Sequence, residues 1–222
     1  MSNESRASSH PPAAGLTQLQ TWALALLPSK DNYTLIAIDP NVSLGRAYLW
    51  LVEANLIGGV ISTLVSVGVD LALGSSTNPL LSSLGQGTPT VQGTLNGILF
   101  GVPIQTVLIL VAVTIVMGAS QLLAKALGGR GTFTQLFYAF AAFFAPITLF
   151  NSLISSLPLV GLLFVIVTTL YGLLLNVVAT ETVQQFGRGR AILVAVVVPI
   201  GLVAVVAVIA TIGLAVFSLT LN

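Results

Sequence analysis

The chain has 222 residues, only seven of them Lys or Arg and six Asp or Glu, about 6% charged, where a soluble domain carries roughly 25%. Together with 55% apolar residues, this excludes a soluble globular fold. A formal charge of +1 also argues against a nucleic-acid binder, whose phosphate contacts need an extensive basic patch.

The first fifteen residues are rich in Ser, Pro and Ala and read as a disordered tail. No signal peptide is expected. Arg6 is offset by Glu4, and the only nearby apolar run, 22–27, is shorter than a signal core. Leu16, Leu19, Ala23, Leu26 and Leu27 then recur at helical spacing opposite Thr17, Gln18, Gln20 and Thr21, and Pro28 ends the pattern. This predicts a short helix lying in the membrane interface. Its polar face lacks Lys and Arg, so a helix packed under the bundle is the other reading.

No charge occurs over 71–124, 131–180 or 191–222. Crossing the hydrocarbon takes about 20 apolar residues, and five such stretches are expected at 47–69, 98–123, 132–153, 159–179 and 191–217. The expected architecture is all-α: residues 1–43 form a cytosolic tail with the short interfacial helix, and residues 44–222 a polytopic bundle of five transmembrane helices.

All seven basic residues fall on one side of these spans. Lys and Arg resist translocation, which places the amino terminus inside and the carboxyl terminus outside. The sequons at Asn32 and Asn41 would then face inward and stay unmodified.

Helices in lipid associate through small residues and polar contacts. Ala54, Gly58, Ser62 and Ser66 form such a stripe, as do Thr168, Gly172, Asn176 and Thr180, and Gly97 with Gly101 makes a GxxxG. These read as packing faces. Pro103, Pro146 and Pro199 fall within spans and would bend them.

Groups for catalysis are scarce. With no Cys and His10 alone in the tail, neither a Ser-His-Asp triad nor a multi-His or thiolate metal site assembles. No phosphate-binding GxxxxGK[ST] occurs. No enzyme activity, metal or cofactor is expected. Two inside loops, containing Gly128, Gly129, Arg130 and Thr132 and, farther on, Arg188 and Arg190, are candidate contacts for a protein partner or lipid headgroup through guanidinium and backbone N–H groups. Flexible turns with interfacial Arg anchors are the plainer reading. Glu53, with Asn55 nearby and Asn176 in the fourth span, makes a candidate intramembrane polar site, and Arg46, seven residues before Glu53, is placed to neutralise it.

The stretch LLAKALGGRGTFTQLFYAFAAFFAP, 122–146, resembles the centre of the Yip domain family, the Ypt-interacting proteins: a span ends in Gly128, Gly129, Arg130, Gly131, Thr132 and Phe133, and the next reaches Pro146 about midway. The lead-in LLPSKDNYTLIAIDP and the basic loop before the last span are also similar. The resemblance implies a five-span integral membrane protein with a cytosolic amino terminus. Eukaryotic relatives associate with Rab-type GTPases and with one another in trafficking; the short amino-terminal region here implies a bacterial or archaeal member instead. The expected role is a non-enzymatic scaffold or adaptor in membrane organisation. Its partners are the bilayer, a membrane or cytosolic protein, and further copies of itself. The expected location is the cell inner membrane, or ER and Golgi membranes in a eukaryote. The second reading is a small-solute or proton-coupled ion transporter built on Glu53, Asn55 and Asn176.

Overall fold

The computed structural model describes residues 15–73, 91–155, 157, 159–202 and 204. The predicted tail through residue 14 with His10, the loop over 74–90 and the far part of the fifth predicted span lie outside them. Among the described residues the regular structure is helical throughout: α1 Gln18–Ala25, α2 Lys30–Ala37, α3 Leu44–Leu73, α4 Val91–Asn96, α5 Val102–Ala126, α6 Phe133–Ile154, α7 Val160–Gln184 and α8 Arg188–Ile192. One wide π turn, Gly97–Gly101, joins α4 to α5, and another, Leu193–Val197, follows α8.

Four stretches are long and apolar enough to cross a bilayer: Leu44–Val69, Val91–Ala126, Phe133–Ile154 and Val160–Gln184. The chain is a multi-pass membrane protein. Of the fifth expected span, 191–217, residues 191–202 and 204 are described, and they are helical. Large apolar side chains such as Phe100, Leu108, Leu163 and Leu170 are exposed on α5 and α7 and the π turn before α5, as suits a surface solvated by acyl chains.

Helix α6 is the central element: half of its most apolar stretch is buried, against about a tenth of that in α4–α5. Its sequence explains why. Ala139, Ala141, Ala142 and Ala145, all fully buried, let neighbours approach the backbone, while Phe137, Tyr138 and Phe143 fill the space between. Trp50 of α3 packs at a tilt against Tyr138, and Tyr48 against Phe137. The small-residue stripe of α3 faces α6 as expected, since a Cβ on Gly58 would lie 2.4 Å from Ser152 Oγ. The Gly97–Gly101 pair packs on no neighbour among the described residues, where a Cβ at either position would meet nothing within 4 Å, and both belong to the π turn.

That turn has a physical cause. Pro103 cannot donate to the carbonyl four residues back, and its ring clashes there. Widening the turn so that the Val102 N–H reaches Gly97 O accommodates it. The same device recurs before Pro199, which leaves the Ala195 carbonyl without its helical donor. Here Asn176 Nδ2, on α7, donates to Ala195 O at 3.0 Å. Asn176→Leu is expected to cost about 1 kcal/mol, the scale of an interhelical hydrogen bond in a membrane, measured by unfolding in mixed micelles. Pro199→Ala, which restores the backbone donor, should shrink that loss.

Helices α1 and α2 form a hairpin packed on α6 and α7, and α1 also touches α3 through Gln18 and Trp22. Thr17 and Gln20 make a reciprocal capping box that starts α1. At its other end, three exposed-by-default carbonyls are each capped by a side chain: Asn32 Nδ2 donates to Leu24 O, Tyr33 Oη to Ala25 O at 2.7 Å, and Tyr171 Oη of α7 to Leu26 O. Burial pushes the Tyr33 phenol well above its ordinary value, so it remains a donor. Trp22 packs edge-on against Trp50. Helix α1 packs against the bundle, with Thr21 and Ala25 buried. Helix α2 is an addition, missed because KDNYTLIA carries too short an apolar pattern to read.

Candidate functional site

The long helices alternate in direction, so the six described basic residues, Lys30, Arg46, Lys125, Arg130, Arg188 and Arg190, gather at one end of the bundle. Two loops meet there. The first begins where α5 stops in a Schellman motif: the Gly128 N–H donates to Lys125 O at 3.0 Å and the Gly129 N–H to Ala124 O at 2.8 Å. Gly128 takes the left-handed conformation, φ +87, which a Cβ would strain. The loop closes at Thr132, whose capping box with Gln135 opens α6. Gln135 Nε2 reaches on to Ala37 O at 3.2 Å, tying α6 to the end of α2.

The second loop, between α7 and α8, lies directly against the first. The Arg130 N–H donates to Gln184 O at 3.1 Å, Gln121 Nε2 to Gly131 O at 2.9 Å, and Gln184 Nε2 to Gln121 Oε1 at 2.6 Å. Arg190 donates to Leu127 O across the gap at 3.1 Å. Contact is so close that a Cβ on Gly131 would lie 2.4 Å from Val183 O, a backbone atom. Gln121 and Gln184 are buried, so this junction is a buried polar clasp in which each hydrogen bond is worth more than it would be at the surface.

Above the clasp, the side chains of Lys125, Arg130, Arg188 and Arg190 are exposed. Of the predicted contact residues, Arg130, Arg188 and Arg190 therefore share one rim. Gly128, Gly129 and Thr132 serve the geometry beneath it, with Gly129 buried against Gln184 and Ala124. Gln121 and Gln184 are the residues that sequence reasoning missed. Their signal was a carboxamide toward the loop end of each span, Gln121 in the last third of α5 and Gln184 the final residue of α7.

An acidic group flanks the rim. Glu181, 9% exposed, pairs with Lys30 Nζ at 2.7 Å, the only salt bridge among the described residues. It fastens α2 to the end of α7.

The family model described as Yip1 domain matches residues 24–210. The chain belongs to the Yip1 domain family. No curated protein and no solved structure matches it. The Yip1 match takes in both loops, the clasp beneath them and the whole of α2 to α8.

The intramembrane candidates do not converge in this Yip1 domain. Glu53 accepts from Gln18 Nε2 of α1 at 2.9 Å. Arg46, expected to neutralise it, instead donates to Leu16 O at 2.9 Å and lies over the Trp50 ring. The shorter Gln18 is the better-placed partner because α1 runs beside α3. Asn55 lines a cleft between α3, α5 and α6, and Asn176 lines a second cleft between α5, α6 and α7; Glu53 lines neither.

Proposed function

We propose that the protein is a non-enzymatic membrane scaffold or adaptor whose two clasped loops form a single basic docking face for an acidic segment of a protein partner. The observation that carries this reading is the rim of Lys125, Arg130, Arg188 and Arg190 held on a rigid floor by the Gln121–Gln184 clasp. Four cations on one face focus an attractive potential that isolated loops would not. By the retention of basic residues on the untranslocated side, this face looks into the cytosol. In a bacterial or archaeal cell the membrane is the inner membrane; in a eukaryote it is that of the ER or Golgi.

Salt tests the reading. The partner is expected to co-purify at about 0.1 M salt and to be lost near 1 M, where the screening length drops from about 10 Å to about 3 Å. Retention of the partner at high salt would point to an apolar contact elsewhere.

The transporter alternative needs Glu53, Asn55 and Asn176 around one pathway, and their separate placements favour it less. Glu53→Gln is accordingly expected to leave partner capture unchanged and to produce no altered proton-coupled flux in proteoliposomes. A flux lost specifically in this variant would reverse the ranking.

A further inference from the structure

Two adjoining clefts lie away from the basic rim. The first, about 330 Å³, is walled by α3, α5 and the far half of α6, and its lining is mostly polar or Gly. The second, about 310 Å³, runs between α5, α6, α7 and Pro199; apart from Asn151, Thr168, Thr169 and Asn176 its wall is apolar, with Phe140, Phe143 and Met117 among it. Phe144 and Asn151 belong to both, so the two spaces share a wall. Each reaches the surface of the bundle, since Gln105 and Ser155 on the first and Ala112 and Thr169 on the second are exposed.

Their depths differ in a useful way. At about 1.5 Å per residue, Ser152 of the polar cleft lies roughly 28 Å along α6 from Phe133, whereas Phe143 of the apolar cleft lies roughly 15 Å along it. The polar cleft is thus toward the end opposite the basic rim, and the apolar one is near the middle of the spans. That gradient matches one leaflet of a bilayer.

Hydrogen-bond polarity narrows the ligand. Thr63, Thr106 and Ser152 each donate their hydroxyl proton to their own helix, to Gly59 O, Val102 O and Thr148 O. Asn55, 8% exposed, spends its amide on Leu51 O at 2.7 Å. What Thr63, Thr106 and Ser152 turn to the cleft is hydroxyl lone pairs, beside the neutral carboxamides of Asn55, Gln105 and Asn151, which can both donate and accept. Among the described residues, no ionisable group lines either cleft. A neutral wall of hydroxyls and carboxamides suits hydroxyl groups, which donate and accept, and offers no cation to offset the cost of taking a phosphate's charge out of water.

We infer that the paired clefts bind one uncharged, hydroxyl-bearing lipid of the acylglycerol class, its headgroup in the polar cleft and a chain in the apolar one. The site is distinct from the basic rim and does not depend on the adaptor reading.

The test uses the full chain in phosphatidylcholine nanodiscs with a trace of diacylglycerol carrying a photoreactive group on one acyl chain. Labelling is expected to concentrate on the peptides of α5 and α6 that line the apolar cleft. Unlabelled diacylglycerol should compete at least fivefold better than phosphatidic acid with the same chains. Thr63→Val with Thr106→Val, nearly isosteric and lacking two of the acceptors, should lower labelling at least fivefold. If that pair fails to fold, Gln105→Leu, at an exposed position without a partner among the described residues, serves instead. Labelling that phosphatidic acid competes equally would overturn the proposal, as would labelling spread evenly over lipid-facing helices, which would mean the clefts hold only water and annular lipid.

Discussion

Replacing Arg130 and Arg188 together by Ala is expected to weaken association with an acidic partner about thirtyfold while leaving membrane insertion intact. Each exposed cation facing an anionic surface is worth roughly 1 kcal/mol, and two such terms sum to a factor of about 30 at 1.4 kcal/mol per decade. The backbone contributions stay in place, because the Arg130 N–H still reaches Gln184 O whatever the side chain. Arg190 is the control within the same rim. It donates to Leu127 O, so Arg190→Ala should combine a smaller loss of binding with some loosening of the first loop. Quantitative co-purification from native membranes separates these outcomes, and unchanged capture by the double variant would remove the rim from the account.

The second large effect is expected at Gly131. Its missing Cβ lets the first loop touch the backbone at Val183, where an added carbon would lie 2.4 Å from the carbonyl oxygen and 2.9 Å from the carbonyl carbon. A backbone obstacle cannot rotate away. Gly131→Val should therefore push the loops apart, break the Gln121 bond to Gly131 O and cost about 2–3 kcal/mol, the range seen for overpacking. Unfolding in mixed micelles measures this. The variant should also lose partner capture although every Arg is present. Loss of stability with capture preserved would show that the clasp holds the fold and not the docking face.

The apolar spans were legible because the uncharged tracts 71–124 and 131–180 leave few places for a helix to end. The stripe through Gly58 was legible for a related reason, since in lipid only small residues and polar contacts distinguish one helix face from another. The rim followed from the position of the Arg residues alone. What escaped was long-range pairing. Glu53 takes Gln18 rather than Arg46 because a hairpin thirty-odd residues earlier folds beside α3, a tertiary outcome with no local periodicity. Helix α2 depends likewise on burying Tyr33 and Ile36; eight residues seldom hold a helix by themselves. The Thr-x-x-Gln patterns at Thr17 and Thr132 were readable as capping boxes, and they mark the helix starts more sharply than hydropathy does. The Gly97–Gly101 spacing misled because a GxxxG and a π turn ahead of Pro103 draw on the same residues.

The central claim is that the loops after α5 and α7 act as one face. Photoreactive residues placed at Ala126 and at Gly189, both exposed and outside the hydrogen-bonded clasp, test it most directly in native membranes, with Leu71 at the opposite end, also exposed, as the reference. Both positions are expected to capture the same protein, Arg130→Ala with Arg188→Ala to lower capture from each about thirtyfold, and Leu71 not to capture it. Capture from only one loop, equal capture from Leu71, or crosslinks to lipid alone would contradict it.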